Sequence, residues 1–415
     1  MQRVLVLGAG FAGLWTAIGA ARKLDEIGMG PDRVEVTVVD RSAWHSIRVR
    51  NYEADLDGTR VPLDEVLRPI GVRRVEAEVA DIDFARREVA CTGAGQHLSY
   101  DRLVFALGSR LARPPILGLD AYAFDVNTYE AASRLNAHIA ALPSRPPSPG
   151  RDTVFVIGGE LTGVETGAEM PVKLRTAFGA DARARPRVVL ADRQQWIGSD
   201  MGEEARTVID EALAVLGVET RPGVSVAAID EAGATLTTGE RIAAETVVWC
   251  VGMQAHPLTG RFPVERDRFG RLSVDTFLKV KGMAALKVKG MAAEFAAGDT
   301  AWFPIDGSRP CVMSCQHGRP MGRFAGHNAV CDLLGLPMLP LKIDWYTTIL
   351  DLGPWGAVCT AGWDRRVATT GVDAKRTKEL INRQRIYPPR SGNRREILDA
   401  SAPVIQAPPP FFLRP

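Results

Sequence analysis

The hydrophobic positions of this chain fall into short apolar runs, at residues 4–7, 103–107, 153–157, 188–191 and 246–251, nearly free of polar residues, and at 34–39, where Glu35 and Thr37 intervene, separated by longer segments of mixed polarity. Runs of this length without polar alternation are strands covered on both faces, and the helices that cover them lie in the segments between. The pattern predicts an α/β chain built on parallel sheets.

The first run enters Gly8-Ala9-Gly10-Phe11-Ala12-Gly13 and then a helix. In such a turn the first glycine makes the corner, the second lets a phosphate reach the backbone, and the third lets helix pack on strand. Free N–H groups at the helix start face the anion. The run at 34–39 ends in Asp40, where a ribose-binding acid belongs; residues 25–32, with Gly28, Gly30 and Pro31, lengthen the loop before it. A dinucleotide's pyrophosphate is therefore expected at this first turn. Segment 41–51 is polar and basic, with Arg41, Trp44, His45, Arg48 and Arg50. It is either a solvated loop whose arginines pair with surface acids, or one that carries His45, Arg48 and Arg50 to a cofactor or substrate.

Strands are expected within 75–90, and the run at 100–109 ends in Gly108-Ser109 at the ligand-facing edge of the sheet. Residues 143–150, rich in proline, predict a loop at a domain boundary. A second strand then enters Gly158-Gly159-Glu160-Leu161-Thr162-Gly163-Val164-Glu165, with a helix that Pro171 interrupts and an acid, Asp192, closing the following strand. Two such units call for two dinucleotides, one per domain. In the second, Glu160 replaces the middle glycine. A carboxylate at ~5 Å from a pyrophosphate repels it by roughly 3–4 kcal/mol at an effective dielectric of ~20, which is ~100-fold in affinity. Either Glu160 swings into solvent, or this site binds poorly, or it has lost its ligand. Asp192 favours NADH through the ribose hydroxyls, while Arg193 beside it could receive the 2′-phosphate of NADPH.

A strand at 245–252 closes the second unit, and residues 294–301 form a short apolar strand ending in Gly298-Asp299, an acid placed to accept hydrogen bonds from ligand hydroxyls. Between them, residues 278–285 are repeated residue for residue at 286–293. Too short for a solenoid, the copy is expected to be an inserted hairpin or loop, or a sequence artefact, without catalytic role.

At 415 residues the chain is too long for one ordinary core, and 46% hydrophobic with 24% charged residues is the composition of a soluble globular protein. A net charge of +2 gives no footprint for nucleic acid. No uncharged apolar run reaches membrane-spanning length, and a strand starting near residue 3 leaves no room for a signal peptide, so a cytoplasmic location is expected. The six cysteines lack zinc-type spacing, so no metal site is expected; Cys311 and Cys315 are expected to be buried thiols rather than a redox pair.

With Gly8, Gly10 and Gly13, the second unit at 158–165 and the Phe295-Ala296-Ala297-Gly298-Asp299 strand in that order, the chain resembles the two-dinucleotide-binding-domain flavoproteins of the pyridine nucleotide-disulfide oxidoreductase superfamily. Within them it looks most like the type II NADH dehydrogenase branch, over residues 1–335. The resemblance implies FAD, with its diphosphate on Gly8, Gly10, Phe11, Ala12 and Gly13, its adenosine ribose on Asp40 and its ribityl chain on Asp299; Arg41, Arg48, Ala106, Gly108 and Gly298 are further positions expected to line it. Gly158, Gly163 and Asp192 would hold the nicotinamide dinucleotide, with Glu165 near nicotinamide and flavin. Gln316 matches the family glutamine near flavin and quinone, and His317 and His45 are added as candidate catalytic groups.

The chain departs from the branch at Pro320, where a second glutamine would fall, at the basic 47–50 segment in place of an apolar quinone entrance, and at Glu160. The expected fold is α/β, with two Rossmann-like domains, the second inserted in the first, and a small α+β C-terminal region. The expected divisions are 1–120, 121–272, 273–335 and 336–415. The C-terminal basic helix, residues 374–385, has a small apolar face and is expected to be solvated rather than membrane-bound; the apolar end, 408–413, should pack on protein, and a homodimer is expected. The expected function is FAD-dependent transfer from NADH or NADPH to a quinone or other small acceptor. The alternative is an FAD-dependent oxidase or dehydrogenase of a small organic substrate with a degenerate nicotinamide site. A third reading is a non-enzymatic interaction protein like the apoptosis-inducing-factor group.

Overall fold

The computed structural model describes residues 1–92, 97–179, 181, 184–283 and 293–410. The chain opens with β1 (Gln2–Leu7), α1 (Phe11–Glu26), β2 (Val34–Asp40), β3 (Arg73–Glu76) and β4 (Arg102–Phe105). A second unit follows: β5 (Ala123–Phe124), α2 (Tyr129–Ala141), β6 (Thr153–Ile157), α3 (Leu161–Phe178), β7 (Arg187–Asp192), α4 (Glu203–Leu216), β8 (Val218–Pro222) and β9 (Thr246–Trp249). The chain then supplies β10 (Glu294–Ala296) and α5 (Cys315–Leu334), and ends in β11 (Thr347–Asp351), β12 (Ala357–Ala361), β13 (Arg366–Thr370) and α6 (Gly371–Leu380).

The two parallel sheets have equivalent strand orders, β10-β4-β1-β2-β3 and β5-β9-β6-β7-β8. Because β10 pairs with β4, Glu294 opposite Leu103, the first sheet is completed only after the second has been made. The second Rossmann-like unit is thus inserted in the first. Val4, Val6, Leu7, Val154, Phe155 and Val156 are fully buried, as their unbroken apolar runs require in sheets covered on both faces. β11, β12 and β13 form a separate antiparallel sheet, and α6 packs on it.

One helix pair positions the site. Gly318, Gly322 and Gly326 recur every four residues along α5, so they share one face, and that face lies on α1. A Cβ at Gly322 would collide with the Ala12 carbonyl, and one at Gly326 with the Thr16 carbonyl; from the other side, a Cβ at Gly19 would come within 2.7 Å of the Arg323 carbonyl. The two helices touch backbone to backbone. Both start at the same edge of the first sheet, at Gly10 and Ser314.

Several expectations are corrected. α3 runs through Pro171 to Phe178 instead of stopping there. The missing N–H costs one rung, and the burial of Val164, Ala168, Met170 and Leu174 on the same helix keeps it intact. The proline-rich loop at 143–150 lies within the second unit rather than at its edge, because β5 and α2 precede it and β5 pairs with β9. The C-terminal sheet has a third strand, β13, that the sequence pattern did not announce. Of the duplicated segment, residues 284–292 lie outside the described residues, as do residues 411–415 of the apolar end.

Gly326→Ala is expected to lower stability by about 2 kcal/mol or more, since both sides of the seam are backbone and cannot rotate aside. A urea midpoint unchanged from wild type would show that α1 and α5 separate freely.

Candidate functional site

The two glycine turns share a geometry, and the structure separates what each glycine is for. Gly8 and Gly158 take φ of +95° and +107°, where side chains are strained. A Cβ on Gly13 or Gly163 would run into the carbonyl of Gly8 or Gly158. These four glycines are demanded by the fold alone. Gly10 is different: its φ is −68°, and no protein atom lies within 4 Å of where a Cβ would stand. Nothing in the protein requires glycine there. The open space beside the start of α1, whose first N–H groups no side chain caps, fits an oxyanion pressed against the backbone.

Glu160 occupies the equivalent position with nearly the same backbone, φ −80° and ψ −175° against −68° and −166° at Gly10. Its side chain therefore leaves the backbone in the direction that Gly10 keeps clear. It is exposed and caps nothing. Partial desolvation in the crevice, with Asp200 and Asp192 nearby, raises its carboxyl above the ordinary range, and Arg193 offsets part of this.

Each unit's acid is tied to its own turn. Asp40 accepts the Ala9 N–H at 2.7 Å on one oxygen and the Ser42 N–H at 2.8 Å on the other. Asp192 accepts the Gly159 N–H at 2.5 Å and the Gln194 N–H at 2.7 Å. Burial raises the Asp40 carboxyl, and the two backbone donors pull it back.

At the far side of the first turn, the corner at Gly298 packs on Ala12, with 2.6 Å between a Cβ built there and the Ala12 Cβ. Asp299 accepts a hydrogen bond from the Ser109 hydroxyl at 2.5 Å, and the Arg48 guanidinium lies 3.3 Å from the Ser109 hydroxyl and carbonyl oxygens. Burial lowers the Arg48 pKa, with Asp299 opposing. Arg48, Ser109 and Asp299 thus form one polar row, with Ala106 and Gly108 at the end of β4 beside it. Gln316, in the first turn of α5, has a buried Nε2 without an acceptor, a group awaiting a partner. Arg41 is exposed, and Arg50, itself buried, pairs with Glu53 at 2.6 Å.

Both candidate histidines are held as neutral rings. His45 is fully buried and its Nδ1 lies 2.8 Å from the Ala9 carbonyl, so Nδ1–H donates. His317 Nδ1 accepts the Val312 N–H at 2.9 Å, which leaves its proton on Nε2. Burial lowers each to about 4. These bonds position the first turn and the approach to α5; neither ring carries charge near neutrality.

Glu165, on the second turn of α3, is buried and accepts a hydrogen bond from Lys378 Nζ at 2.6 Å and from the Asp351 N–H at 3.1 Å. Asp351 in turn accepts from Tyr52 at 3.0 Å and from Lys375 at 2.5 Å. Burial pulls the Lys378 pKa down, but Glu165 and Asp351 more than restore it, so it stays charged. The basic helix expected to be solvated therefore turns two lysines inward. Sequence reasoning missed Lys378, Asp351 and Tyr52. The only signal was the spacing of Ala374, Lys375 and Lys378 on one helix face, masked by Arg376, Arg383 and Arg385. All six cysteines are free; Cys311 is buried and Cys315 opens α5.

A sequence profile of the pyridine nucleotide-disulphide oxidoreductase family matches residues 2–322. An NADH dehydrogenase-like protein of Mycobacterium tuberculosis is 52% identical over 409 residues, covering 99% of this chain and 100% of that protein. A demethylphylloquinone reductase of Synechocystis is 26% identical over 364 residues, 86% of each chain. Among solved structures, NDH2 of Plasmodium falciparum in complex with NADH superposes with a TM-score of 0.77 at 13% identity, over 96% of this chain and 97% of that one, a likeness of fold. Among the described residues no helix is long and apolar enough to cross a membrane.

The two neutral histidines make stability depend on pH. A ring at about 4 in the folded state and 6.5 unfolded contributes stability that is complete above pH 6.5 and is lost as pH falls from 6.5 towards 4. Lowering pH from 7 to 5 is expected to cost about 2 kcal/mol per ring. In urea titrations His317→Gln should reduce the stability lost between pH 7 and 5 by about 2 kcal/mol, leaving the contributions of His45 and of His256, which burial also lowers to about 4; an unaltered loss would show that His317 does not titrate so low.

Proposed function

Because the chain belongs to the pyridine nucleotide-disulphide oxidoreductase family, in its type II NADH dehydrogenase-like branch, we propose that it is an FAD-dependent NAD(P)H oxidoreductase delivering electrons to a quinone or other small acceptor. The observation that carries this reading is the space at Gly10 beside the uncapped start of α1, in a turn whose other two glycines the fold itself demands. FAD suits the first unit. Gly10 to Gly13 would take its diphosphate, Asp40 the adenosine ribose and Asp299 the ribityl hydroxyls, with Gln316 Nε2–H offering a donor to the ring system. When bound, FAD supplies the redox chemistry: it takes hydride from the nicotinamide and gives up electrons to the acceptor.

The protein's own contribution is placement and field. Ser109 and Arg48 hold the Asp299 carboxylate, so its free lone pairs are oriented before a ligand arrives. The ion pair with Lys378 keeps Glu165 as a fixed acceptor in a buried place. Asp192, already oriented by its turn, suits the ribose hydroxyls of NADH. The demethylphylloquinone reductase and NADH dehydrogenase-like names of the relatives agree with a nicotinamide donor and a quinone-type acceptor.

Glu160 favours a second reading, in which the nicotinamide site has decayed and the flavin oxidises a small organic substrate. Anaerobic mixing of the purified holoprotein with NADH, followed by flavin absorbance in a stopped-flow instrument, separates the two. Rapid bleaching is expected; an intact flavin that dithionite but not millimolar NADH reduces would favour the second reading. Glu160→Gly should tighten NADH by about 10- to 100-fold if the carboxylate opposes the pyrophosphate. Gly10→Ala should leave the unfolding midpoint of the apoprotein unchanged and weaken FAD retention, read as flavin absorbance per chain after gel filtration. Full retention would mean that the space at Gly10 is not the diphosphate site.

A further inference from the structure

Among the described residues five arginines are buried, and three have their counter-ion: Arg50 with Glu53 at 2.6 Å, Arg151 with Asp152 at 2.6 Å and Arg271 with Asp267 at 2.7 Å. The other two are Arg319 and Arg323, 6% and 2% exposed, one turn apart on α5. Both guanidinium groups lie over the Trp15 ring of α1, 4.7 and 4.6 Å from its centre. Arg319 Nε and Arg323 Nε and Nη2 are buried with no acceptor, and among the described residues neither arginine has an ion-pair partner.

An aromatic face compensates a buried cation only in part, and the cost of burying an unpaired charge exceeds it. Burial, with the charges of Arg323 and Arg385, lowers Arg319 to about 9; burial, with Arg385, lowers Arg323 to about 10. Arg385 itself donates to the Ala407 carbonyl. Among the described residues the region therefore holds positive charge from three side chains and no negative one. Two planar guanidinium forks, stacked on one indole and so limited in rotation, suit the oxygens of a carboxylate, sulfonate or phosphate. The place borders the first unit's site. Arg319 is within electrostatic reach of His45, whose other side holds the Ala9 carbonyl, and of Cys315 at the start of α5.

We propose that Arg319 and Arg323, stacked on Trp15 and supported by the charge of Arg385, bind an oxyanion carried by the small-molecule electron acceptor, so that an acidic acceptor is selected over a neutral one. This rests on the reading of the protein as a reductase of small acceptors.

The test uses the FAD-loaded protein and two independent measurements. In the first, the unfolding temperature is followed in sodium sulfate against sodium chloride at equal ionic strength. At low millimolar sulfate, below the range of general salting-out, sulfate is expected to stabilise the wild type by a few degrees, the shift should vanish in Arg319→Gln and Arg323→Gln, and Arg323→Lys should keep part of it. The variants lose an unpaired buried charge, so they are expected to be at least as stable as wild type without sulfate. In the second, NADH oxidation is measured with 1,4-naphthoquinone and with its 2-sulfonate. Each quinone takes two electrons and two protons to become its hydroquinone; the hydride of NADH supplies both electrons and one proton, and water the other. The wild type is expected to prefer the sulfonate in kcat/KM, and Arg323→Gln should reduce that preference by about tenfold or more. An absent sulfate shift, or an equal preference in wild type and variant, overturns the proposal. So does a loss of FAD from the variants, which would make the flavin diphosphate the missing anion. If NADH reduces neither quinone, the function proposed above fails, while the sulfate shift still decides whether these arginines bind an oxyanion.

Discussion

The direct backbone contact between α1 and α5 is the constraint on which the rest of the site depends. A helix start is a diffuse donor by itself; its usefulness comes from being fixed relative to other groups. Here two helix starts, at Gly10 and Ser314, are locked in register by glycines that leave no side chain to compress or slide. The corner at Gly298 rests on Ala12 in the same seam, which sets Asp299 relative to the first turn. A ligand crossing from the first turn to α5 therefore meets groups whose spacing is a property of the main chain, not of side-chain rotamers.

The same logic explains how one of two equivalent units can change its ligand chemistry without harm to its fold. The first and third glycines of each turn answer to the protein, and both units retain them. The middle position answers only to whatever lies outside the protein surface. A carboxylate can enter there at no cost to packing, and Glu160 has done so. Asp192 still holds its turn in the way Asp40 does, so the second unit keeps the frame of the first with a carboxylate at its entrance.

What was legible in the sequence is what is local. A strand, a turn and a helix start are encoded within about ten consecutive residues, so both turns, their acids and the Gly298-Asp299 corner could be placed from pattern alone. The insertion of one unit in the other was expected only through the family resemblance that these motifs carry. The groups that escaped notice have partners far along the chain: Lys378 on Glu165, Tyr52 on Asp351, Trp15 under two arginines of α5. Arg319 and Arg323 each follow a glycine of the seam, and the recurrence of glycine at 318, 322 and 326 was visible, but not that α1 lay against it. Pro171 misled for the complementary reason, since a local rule against proline in helices yields to a well-buried helix face.

The bonds around Glu165 also bear on how ligands can enter and leave. Tyr52 belongs to the first unit, Glu165 to the second, and Asp351 and Lys378 to the C-terminal region, so one buried cluster ties all three together. Rotating the first unit away from the second would break the Tyr52–Asp351 bond and leave a buried polar group unpaired, at a cost of about 1–3 kcal/mol. Displacing a surface loop carries no such cost. The molecule is thus braced against hinge opening by a bond that its C-terminal region, not either of the two sheets, supplies.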